Sequence, residues 1–552
     1  MTQRGGLMNS GGNQPIFILA EGSKKTSGRN AQRNNIEAGK LVAEAVKSTL
    51  GPKGMDKMLV NSIGDVVITN DGATILSEMQ IEHPAAKMIV EVAKTQDDEV
   101  GDGTTTAVII AGELLDKAGD LLEKQIHPTV ITKGFRMARL KALAVLDSLG
   151  EKVSISDREL LKNIANTAMT GKSAERSSEK LSNIAVEAIT KIAETADGKT
   201  IVDTENIKIE KKQGGSMADT EVIDGVIIDK EVVHSGMPKK IEDAKILLVD
   251  SALEIKDLEG DTKINIDSPE KLQAFMENEE ISLKDISDRV IKTGAKVILC
   301  QKGIDDMAQH FLAKAGIVAA RRVKKSDMEK LAKATGAKIV SDIKNILPTD
   351  LGYAGIVEEK KIGGEEMLYI RKCKNPKAVT IMIRGGSEHI VEEVERAMED
   401  AVKGIAAAIE LGKIVPGGGA IEIELSRELR KYAESFKGRE QLAINAFAES
   451  LEVIPRSLAE NAGLDPIDKI ALLRAEHEKG NKSAGLDVFS GDVKDMTKLG
   501  VVEPLKIKIQ AIESASEVAE MILRIDDVIA SGSGSERRPS MPSGGMGDMP
   551  MM

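Results

Sequence analysis

The sequence is poor in aromatic residues, cysteine and histidine. Aromatic side chains make up 2% of its 552 residues, and there is no tryptophan. Stacking platforms for single-stranded nucleic acid are therefore not expected. The two cysteines, Cys300 and Cys373, are too few for a disulfide framework or a cysteine-rich metal site, which fits a cytosolic protein best. The six histidines are scattered without an HExxH spacing, so the sequence does not predict transition-metal catalysis.

Long apolar runs and a surplus of basic charge are also missing. The early apolar run at residues 16–20 is too short for a signal peptide or a membrane span. The chain has 76 lysines and arginines against 88 aspartates and glutamates, a net charge of −12, which does not favour nucleic-acid or anionic-membrane binding. We therefore expect a globular, cytoplasmic protein whose length indicates several domains.

Hydrophobic periodicity changes along the chain. Helical spacing dominates residues 36–149, with a hairpin pattern around residues 58–68. Between about residues 225 and 376, short strand patterns alternate with helical ones. Helical periodicity then returns in a long helix that Ser387 caps and Gly412 ends. This order predicts an α/β module inserted into a helical chain, so that two outer segments form one domain.

One stretch of the α/β module, residues 253–292, has no strand pattern. Ser268-Pro269 begins a helix there in which Leu272, Phe275 and Met276 share one face. These residues alone leave two interpretations open. The face packs back onto the module, or it lies on a projecting arm and awaits a partner.

The segment from Gly101 to Thr106, GDGTTT, directly precedes an apolar helix. A helix N-terminus has unpaired N–H groups and the positive end of the helix dipole, which bind phosphate oxygens. Three hydroxyl groups add donors, and two glycines leave room for close approach. Asp102 can hold the Mg²⁺ that accompanies phosphates. A capped helix after a tight turn would need only one threonine, so we favour a phosphate site.

Three further residues or turns are weaker signals. The Gly51-Pro52 turn can admit a phosphate, but Gly-Pro turns commonly end a helix without binding any ligand. Asp71 follows the hairpin and is either an N-cap or a second acid near the phosphates. Asp400 lies beside the apolar stripe of the long helix, where a carboxylate can orient water for attack on a phosphoryl group. Taken alone, Asp400 is better explained as one more acid beside Glu399.

No GxxxxGK[ST] pattern occurs, and no GxGxxG pattern follows a strand. A nucleotide site in this chain would therefore be neither a P-loop nor a Rossmann site. The spacing of serine, histidine, cysteine and aspartate supports no nucleophilic triad either.

Together these segments resemble the chaperonins. LGPKG at residues 50–54, NDGAT at 70–74, GDGTTT at 101–106 and VPGGG at 415–419 occur in the order of that family. The likeness runs from about residue 15 to residue 529 and is to group II chaperonins of the archaeal thermosome type, related to the eukaryotic cytosolic chaperonin. Asn70 before Asp71, Lys172 and the stretch 253–292 favour group II over the bacterial type.

The resemblance implies an α+β multidomain fold. Residues 15–156 and 412–530 would form a mainly helical equatorial ATP-binding domain, residues 157–224 and 377–411 an intermediate hinge domain, and residues 225–376 an α/β apical substrate-binding domain. Residues 1–14 and the Gly/Met-rich tail 531–552 would be flexible. Residues 253–292 would be a helical protrusion acting as a built-in lid, in which Leu272, Phe275 and Met276 touch neighbouring protrusions or client protein.

It also implies an ATPase site that releases ADP and phosphate. Asp71 and Asp400 would be the catalytic acids and Asp102 the Mg²⁺ ligand, with K⁺ as a further candidate ion. Lys172 would sense the γ-phosphate, Gly418 and Gly485 would lie near the base, and Glu503 would lie at the ribose. The full set implied for the nucleotide is Leu50, Gly51, Pro52, Gly103, Thr104, Thr105, Thr106, Gly171, Lys172, Gly418, Gly485 and Glu503.

The implied function is ATP-dependent folding of non-native client proteins inside a double ring. Roughly eight or nine identical or paralogous subunits would form each ring, without a separate co-chaperonin, nucleic acid or membrane. Two alternatives remain, a non-chaperone ATP-dependent enzyme such as a kinase and a binding protein that has lost hydrolysis. The first needs a substrate pocket with its own acid, base or nucleophile, which the sequence does not show. The joint presence of Asp71, Asp102 and Asp400 argues against the second.

Overall fold

The computed structural model of the chain describes residues 24–60, 64–172, 177–196, 199–255, 268–374 and 376–530. The two ends expected to be flexible, 1–14 and 531–552, lie outside these residues. None of the helices in the described ranges combines the length and the apolarity that crossing a membrane requires.

The first part of the chain is mainly helical. Its elements are β1 (Lys24–Ser27), α1 (Arg29–Lys47), β2 (Lys57–Val60), β3 (Val66–Thr69), α2 (Gly72–Glu78), α3 (Pro84–Val100), α4 (Thr104–Glu123), α5 (Pro128–Leu149) and β4 (Glu151–Lys152). The predicted helices over 104–124 and 128–149 are confirmed, as is the hairpin, in which β2 and β3 pair antiparallel. Pro128 begins α5 because its fixed φ suits a first helical turn and no N–H is needed there.

Two helices and two small sheets follow. The elements are α6 (Arg158–Met169), α7 (Ser178–Ile192), β5 (Glu194–Ala196), β6 (Lys199–Ile201), β7 (Ile207–Gln213) and β8 (Glu221–Ile223). The α/β region then contains β9 (Gly225–Ile228), β10 (Lys240–Val249), α8 (Pro269–Lys292), β11 (Val297–Cys300), α9 (Asp306–Lys314), β12 (Val318–Ala320), α10 (Lys325–Thr335), β13 (Ile339–Val340), β14 (Gly352–Ile362) and β15 (Glu365–Arg371).

The last part begins with β16 (Val379–Gly385) and the long helix α11 (Glu388–Leu411). Ser387 caps α11 and Gly412 ends it in a left-handed conformation, as the sequence predicts. Then come β17 (Lys413–Pro416), α12 (Ala420–Ala433), α13 (Glu440–Leu451), α14 (Val453–Asn461), α15 (Pro466–Glu478), β18 (Ala484–Asp487), β19 (Asp492–Asp495), α16 (Met496–Leu499), β20 (Val502–Pro504), α17 (Leu505–Leu523) and β21 (Asp527–Ala530).

The largest hydrophobic core joins the two ends of the described chain. It contains buried residues from Ile36 to Leu146 and from Val415 to Leu523. Helix α4 lies at its centre, in contact with α1, α3, α13 and α17, because its apolar residues cover nearly every side. Strand β1 pairs antiparallel with β21, which ties the first described residues to the last.

A second core is built on α6, α7 and α11 together with β7 and β16. The three-stranded sheet here has the order β7-β16-β8. Helix α11 also touches α3 and α17 of the first core. It is therefore packed against both cores at once.

The α/β region is a sheet of order β12-β11-β10-β14-β15-β9, with β13 pairing with β10. One face of the sheet packs with α10 and the other with α8 and α9, each over its own apolar cluster. Helix α8 begins at Pro269, where the sequence pattern predicts it. Residues 256–267 of the predicted protrusion lie outside the described residues.

Several short strands of the first and last parts of the chain are not predicted by the sequence. They are two to four residues long and form the sheet β20-β17-β4 and the pairs β18-β19 and β1-β21. Except in the β18-β19 hairpin, their partners are distant in the chain, for example Lys24 opposite Ala530. Local alternation is too brief to reveal them, since a strand of this length is stabilised mainly by its neighbours.

Candidate nucleotide site

A cavity of about 290 Å³ lies where the first core meets α11. Six segments that are far apart in the sequence converge on it: the end of α1, the residues after β3, the turn before α4, the end of α6, helix α11, and the region from β17 to α17. Thirteen residues predicted for the ATPase site line it, namely Leu50, Gly51, Pro52, Asp71, Asp102, Gly103, Thr104, Thr105, Thr106, Lys172, Asp400, Gly418 and Glu503.

The turn between α3 and α4 presents backbone N–H groups to the cavity. Gly101 and Gly103 have positive φ values of 74° and 77°, which glycine adopts without strain. No side chain caps the N-terminus of α4, so its first amide groups have no intrahelical acceptor and face the cavity wall formed by Thr104 and its neighbours. Gln96 holds the turn in place, because its Nε2 donates to Asp102 O at 2.9 Å and to Ile507 O at 3.2 Å. The arrangement is suited to phosphate oxygens.

Asp71, for which the sequence allows either an N-cap or an acid near the phosphates, occupies both positions in the structure. Its Oδ2 accepts a hydrogen bond from Thr74 N at 2.7 Å and thereby caps α2. Its Oδ1 accepts one from Thr104 Oγ1 at 3.2 Å, which places the carboxylate beside the start of α4. Asp71 is therefore an N-cap and also an acid of the cavity.

Lys172 and Asp400 form a close ion pair on the opposite wall, and their side chains are 17% and 13% exposed. The pKa of Asp400 is raised to about 7, because burial and the charges of Asp102 and Asp71 together outweigh the opposing effect of Lys172. Burial alone would lower the pKa of Lys172, but the carboxylates around it hold that pKa above its ordinary value. Asp400 is thus a carboxyl group that can exchange a proton near neutral pH, which is the property a general base requires.

A second buried lysine, Lys508, contacts two glutamates at another wall. Its Nζ lies 2.7 Å from Glu503 Oε2 and 2.9 Å from Glu422 Oε1. Burial raises the pKa of Glu503, and Lys508 opposes this effect. Lys508 lines the cavity together with Glu503.

One end of the cavity is apolar. Leu50, Ile454, Leu458 and Met496 form its walls. Phe489 lies at the rim with its side chain 61% exposed, and Lys53 Nζ is 5.1 Å from the centre of its ring. A ligand with a polyanionic part and a flat apolar part matches the two ends of this cavity.

The acidic residues of the cavity are compatible with a divalent cation that arrives with phosphates. Asp71, Asp102 and Asp400 face the cation Lys172, so negative charge is in excess there. Among the described residues, no group of three histidine, cysteine, aspartate or glutamate side chains is placed to hold a metal ion by itself. Mg²⁺ usually takes one or two carboxylates and completes its octahedral shell with phosphate oxygens and water, which this arrangement permits.

Two predicted residues lie behind the cavity wall. Gly171 O accepts a hydrogen bond from Asn70 Nδ2 at 3.1 Å. Gly485 lies in β18 against the glycine turn, where an added Cβ would be 2.9 Å from Gly417 O. Neither belongs to the cavity lining, so a direct contact of either with the nucleotide stays a prediction.

The predicted lid residues lie on α8, away from the cavity. Phe275 is half-buried and Met276 is 60% exposed. The side chain of Leu272 lies outside the described residues. Whether this face contacts partners stays a prediction as well.

Sequence reasoning missed several cavity residues. Lys508 lies in the run LKIKIQ, where alternating lysines suggest a solvent-exposed face, and nothing local distinguishes it from Lys506. Phe489 had a usable signal, because it is one of only seven phenylalanines and follows a short strand. Met496 resembles an ordinary core residue in the sequence.

Comparison with known proteins identifies the family. The family model described as the TCP-1/cpn60 chaperonin family matches residues 42–533. The chain is 60% identical to the thermosome subunit beta of Archaeoglobus fulgidus over 97% of this chain and 98% of that protein. It is likewise 60% identical to the thermosome subunit of Pyrococcus horikoshii over 96% of this chain and 97% of that one.

A solved structure agrees with this result. The open-state monomer of a group II chaperonin from Methanococcoides burtonii aligns with a TM-score of 0.59 and 49% sequence identity, covering 77% of this chain and all of that one. The chain belongs to the TCP-1/cpn60 chaperonin family and is a group II chaperonin subunit of the thermosome type.

Proposed function

We propose that this chaperonin subunit hydrolyses ATP to ADP and phosphate in the cavity described above, and that the reaction drives the enclosure and folding of non-native proteins. The observation that carries the proposal is the position of Asp400. A titratable carboxylate from α11 faces the uncapped N-terminus of α4 across one cavity, together with Asp71, Asp102 and Lys172.

The two ends of the cavity divide the nucleotide between them. The phosphates would bind the first amide groups of α4 and the hydroxyl groups of Thr104, Thr105 and Thr106, because these residues line the cavity at the N-terminus of the helix. The base would lie at the apolar end, near Gly418. Mg²⁺ bound through Asp102 would neutralise charge that develops on the phosphates.

Hydrolysis then needs a positioned water. The Asp400 carboxylate accepts a proton from the water as its oxygen attacks the γ-phosphorus, and the bond to the bridging oxygen of ADP breaks. Asp71, beside the start of α4, is the second acid of the site. The Lys172 ammonium, fixed by Asp400, lies where it can stabilise charge on the transferred phosphoryl group.

Helix α11 is the element through which hydrolysis would act on the rest of the subunit. Ala397 and Ala401, which flank Asp400 on the helix, belong to the second core, whereas the phosphate-binding turn belongs to the first. One turn after Asp400, Lys403 Nζ donates to Asp97 O at 3.1 Å and its side chain covers Gly101. A movement of α11 would therefore displace Asp400 and Lys403 from the nucleotide cavity, and in the same way a change in the cavity on hydrolysis would move α11 and the second core packed on it.

We further propose the division of the chain stated above. Residues 15–156 and 412–530 form the equatorial domain, residues 157–224 and 377–411 the intermediate domain, and residues 225–376 the apical domain. Support comes from the buried clusters, since most residues of the first core, of the second core and of the two clusters on the faces of the α/β sheet fall within one proposed domain each. The exposed Met276 and Ile281 of α8 support a role of this helix as a lid that contacts neighbours or clients.

The assembly we propose is a cytoplasmic double ring. Archaeoglobus fulgidus has thermosome subunits named alpha and beta, 59% and 60% identical to this chain, which supports assembly with paralogous or identical subunits. Roughly sixteen copies of the 59.1 kDa chain would have a mass of about 946 kDa. Light scattering with and without MgATP tests this, and a monomer under all conditions would contradict it.

Phosphate release separates hydrolysis from the alternatives. The purified protein is incubated with MgATP, with and without K⁺, in the absence of any phosphoryl acceptor. Release of one phosphate per ADP formed is expected. A protein that binds ATP without forming ADP or phosphate would support the hydrolysis-dead alternative. Formation of ADP without free phosphate, and only after a small-molecule acceptor is added, would support a kinase, because the phosphoryl group then stays on the acceptor.

A further inference from the structure

His477, at the end of α15, is fully buried and uses both of its ring nitrogens. Its Nδ1 lies 2.8 Å from Glu424 Oε2 of α12, and its Nε2 lies 2.8 Å from the backbone oxygen of Ala484, the first residue of β18. The side chains of His477 and Glu424 are 0% and 1% exposed. One imidazole ring therefore connects three elements in the dry interior.

Both partners of the ring are acceptors. A backbone carbonyl can only accept a hydrogen bond. Burial alone would raise the pKa of Glu424, but the hydrogen bonds from His477 and Arg427 hold that pKa at about 2, so this carboxylate is ionised and also only accepts. Both ring nitrogens must then carry a hydrogen, which is the imidazolium form of histidine.

Neutralising Glu424 does not by itself require His477. Arg427 already binds this carboxylate in a bidentate way, through Nη2 at 2.7 Å from Oε1 and through Nε at 3.2 Å from Oε2. Bidentate arginine–carboxylate pairs are among the stronger ion pairs in proteins. What His477 adds is the hydrogen bond to Ala484, which indicates a role in placing β18.

The two elements that His477 joins carry two facing walls of the apolar end of the cavity. Helix α12 begins directly after the glycine turn of residues 417–419, whose Gly418 and Gly419 line the cavity. Strand β18 supplies Leu486, which also lines the cavity and whose N–H donates to Gly418 O at 2.9 Å. A Cβ added to Gly485 would be 3.0 Å from Gly418 O, so the two walls are in direct contact. A displacement of β18 relative to α12 would therefore change the width of this end.

Building on the proposed ATP site, we propose that His477 is a positioning residue for ATP, which holds β18 at a fixed distance from α12 and thereby sets the width of the cavity end that receives the base. His477 itself lies behind the cavity wall and acts through these two elements. Its effect falls on the base part of ATP, because the phosphates are assigned to the N-terminus of α4.

The test compares ATP with inorganic tripolyphosphate, which has the phosphate chain but neither base nor ribose. The affinities of the full-length protein for both ligands are measured by calorimetry in the presence of Mg²⁺. In His477→Met the affinity for ATP should fall by about tenfold or more, as is typical when a hydrogen bond of a charged group is lost, whereas the affinity for tripolyphosphate should not change. In phosphate-release assays KM should rise while kcat stays near the wild-type value, because Asp400 and the turn before α4 are undisturbed.

His477→Gln distinguishes positioning from mere filling of space. Glutamine and methionine have similar shapes, but only glutamine keeps an N–H donor for the Ala484 carbonyl. His477→Gln should therefore bind ATP more tightly than His477→Met and approach the wild type. If His477→Met does not fold, the double variant with Glu424→Gln removes the buried negative charge and should still show the loss, since Arg427 keeps Glu428 at 2.9 Å.

Arg474→Met is the matched control. Arg474 lies on the same helix three residues before His477, and its Nε donates to Oε1 of the buried Glu452 at 3.0 Å. This bond joins α15 to the start of α14 and does not involve β18. Its loss should lower the free energy of unfolding while the affinities for ATP and tripolyphosphate stay at their wild-type values. Glu452 remains paired with Arg430 at 3.0 Å.

Equal losses of affinity for ATP and tripolyphosphate in His477→Met would show that His477 only supports the fold and would overturn the inference. Wild-type affinity for ATP in that variant would overturn it as well, and so would a fall in kcat without a rise in KM.

These results are separate from the fate of the proposed function. ATP binding that depends on His477 without any phosphate release would contradict hydrolysis and leave this inference standing. A wild type that does not bind tripolyphosphate would contradict the proposed phosphate site, and the change in KM would then decide this inference. Phosphate release with wild-type KM in His477→Met would contradict this inference alone.

Discussion

Replacing Asp400 by asparagine should abolish most ATP hydrolysis while leaving ATP binding intact. The substitution keeps the shape of the side chain but removes the group that accepts the proton of the attacking water. Loss of a positioned general base typically lowers a rate by about a hundred- to ten-thousandfold. We expect kcat to fall by that factor, with the affinity for ATP changed far less, because the proposed binding mode assigns the phosphates mainly to α4 and its threonines.

The pH dependence follows from the burial of this carboxylate. Burial raises the pKa of Asp400, which reaches about 7, and in the proposed mechanism the ionised form is the active one. Wild-type kcat/KM should therefore fall about tenfold for each pH unit below about 7 and level off above it. The residual activity of Asp400→Asn should lack this inflection.

The same pKa has a consequence for stability. In the folded protein Asp400 binds its proton more tightly than in the unfolded chain, where the pKa is near 3.8. The free energy of unfolding of the nucleotide-free subunit should therefore decrease as the pH rises from about 4 to about 7, by about 4 kcal/mol from this group. Asp400→Asn should remove that part of the slope, which urea unfolding at several pH values measures.

The control for both assays is Glu399→Gln. Glu399 is the adjacent acid on α11, but it is exposed and does not line the cavity. Phosphate release at wild-type rates is expected in this variant. Normal turnover in Asp400→Asn, or an unchanged inflection near pH 7, would refute the assignment of Asp400.

Three further outcomes are expected. Lys172→Met removes the cation that lowers the pKa of Asp400, so hydrolysis should slow and the kcat/KM inflection should move above pH 7 in a pH–rate profile. Phe489→Trp introduces the sole tryptophan of the chain at the cavity rim, and its fluorescence should change when ATP binds; an unaltered spectrum at saturating ATP would argue against the base lying there. Gly51→Ala should destabilise the fold by about 1–3 kcal/mol and weaken ATP binding, because φ is +79° and the new Cβ would lie 2.3 Å from a leucine side chain of α14. Gly316→Ala is its control in urea unfolding, since it has a similar φ of +71° but open space around it.

Much of the local structure could be predicted because its signals are local. Helix α5 has a proline at its first position and an apolar stripe along its length, and α11 has a serine cap and a closing glycine. The turn from Gly101 to Thr106 also predicts a phosphate site from local residues alone, since glycines and hydroxyl groups directly before an apolar helix are typical of phosphate binding. These features need no knowledge of distant residues.

Other features, such as the pairing of short strands and the ion pair of Asp400, could not be predicted because they depend on contacts between segments that are distant in the chain. Strand β1 exists because β21 pairs with it, although some five hundred residues separate them in the chain. Asp400 taken alone resembles one more surface acid. Its ion pair with Lys172 exists because α11 packs against α6, and the residues next to Asp400 in the sequence do not indicate this contact. Resemblance to a family suggested its role earlier, but the residues around it did not.

The sequence by itself determined the helices, the glycine turns and the order of the helical and α/β regions, because each follows from the spacing of apolar, glycine and capping residues within a few turns. Only the tertiary structure decided which charges share a dry cavity. Lys506 and Lys508 are two residues apart in the same apolar run, yet one pairs with Glu410 at the surface and the other lies buried between two glutamates. Burial belongs to the packed assembly of elements, and burial is the main cause that raises the pKa of the Asp400 carboxyl group to about 7.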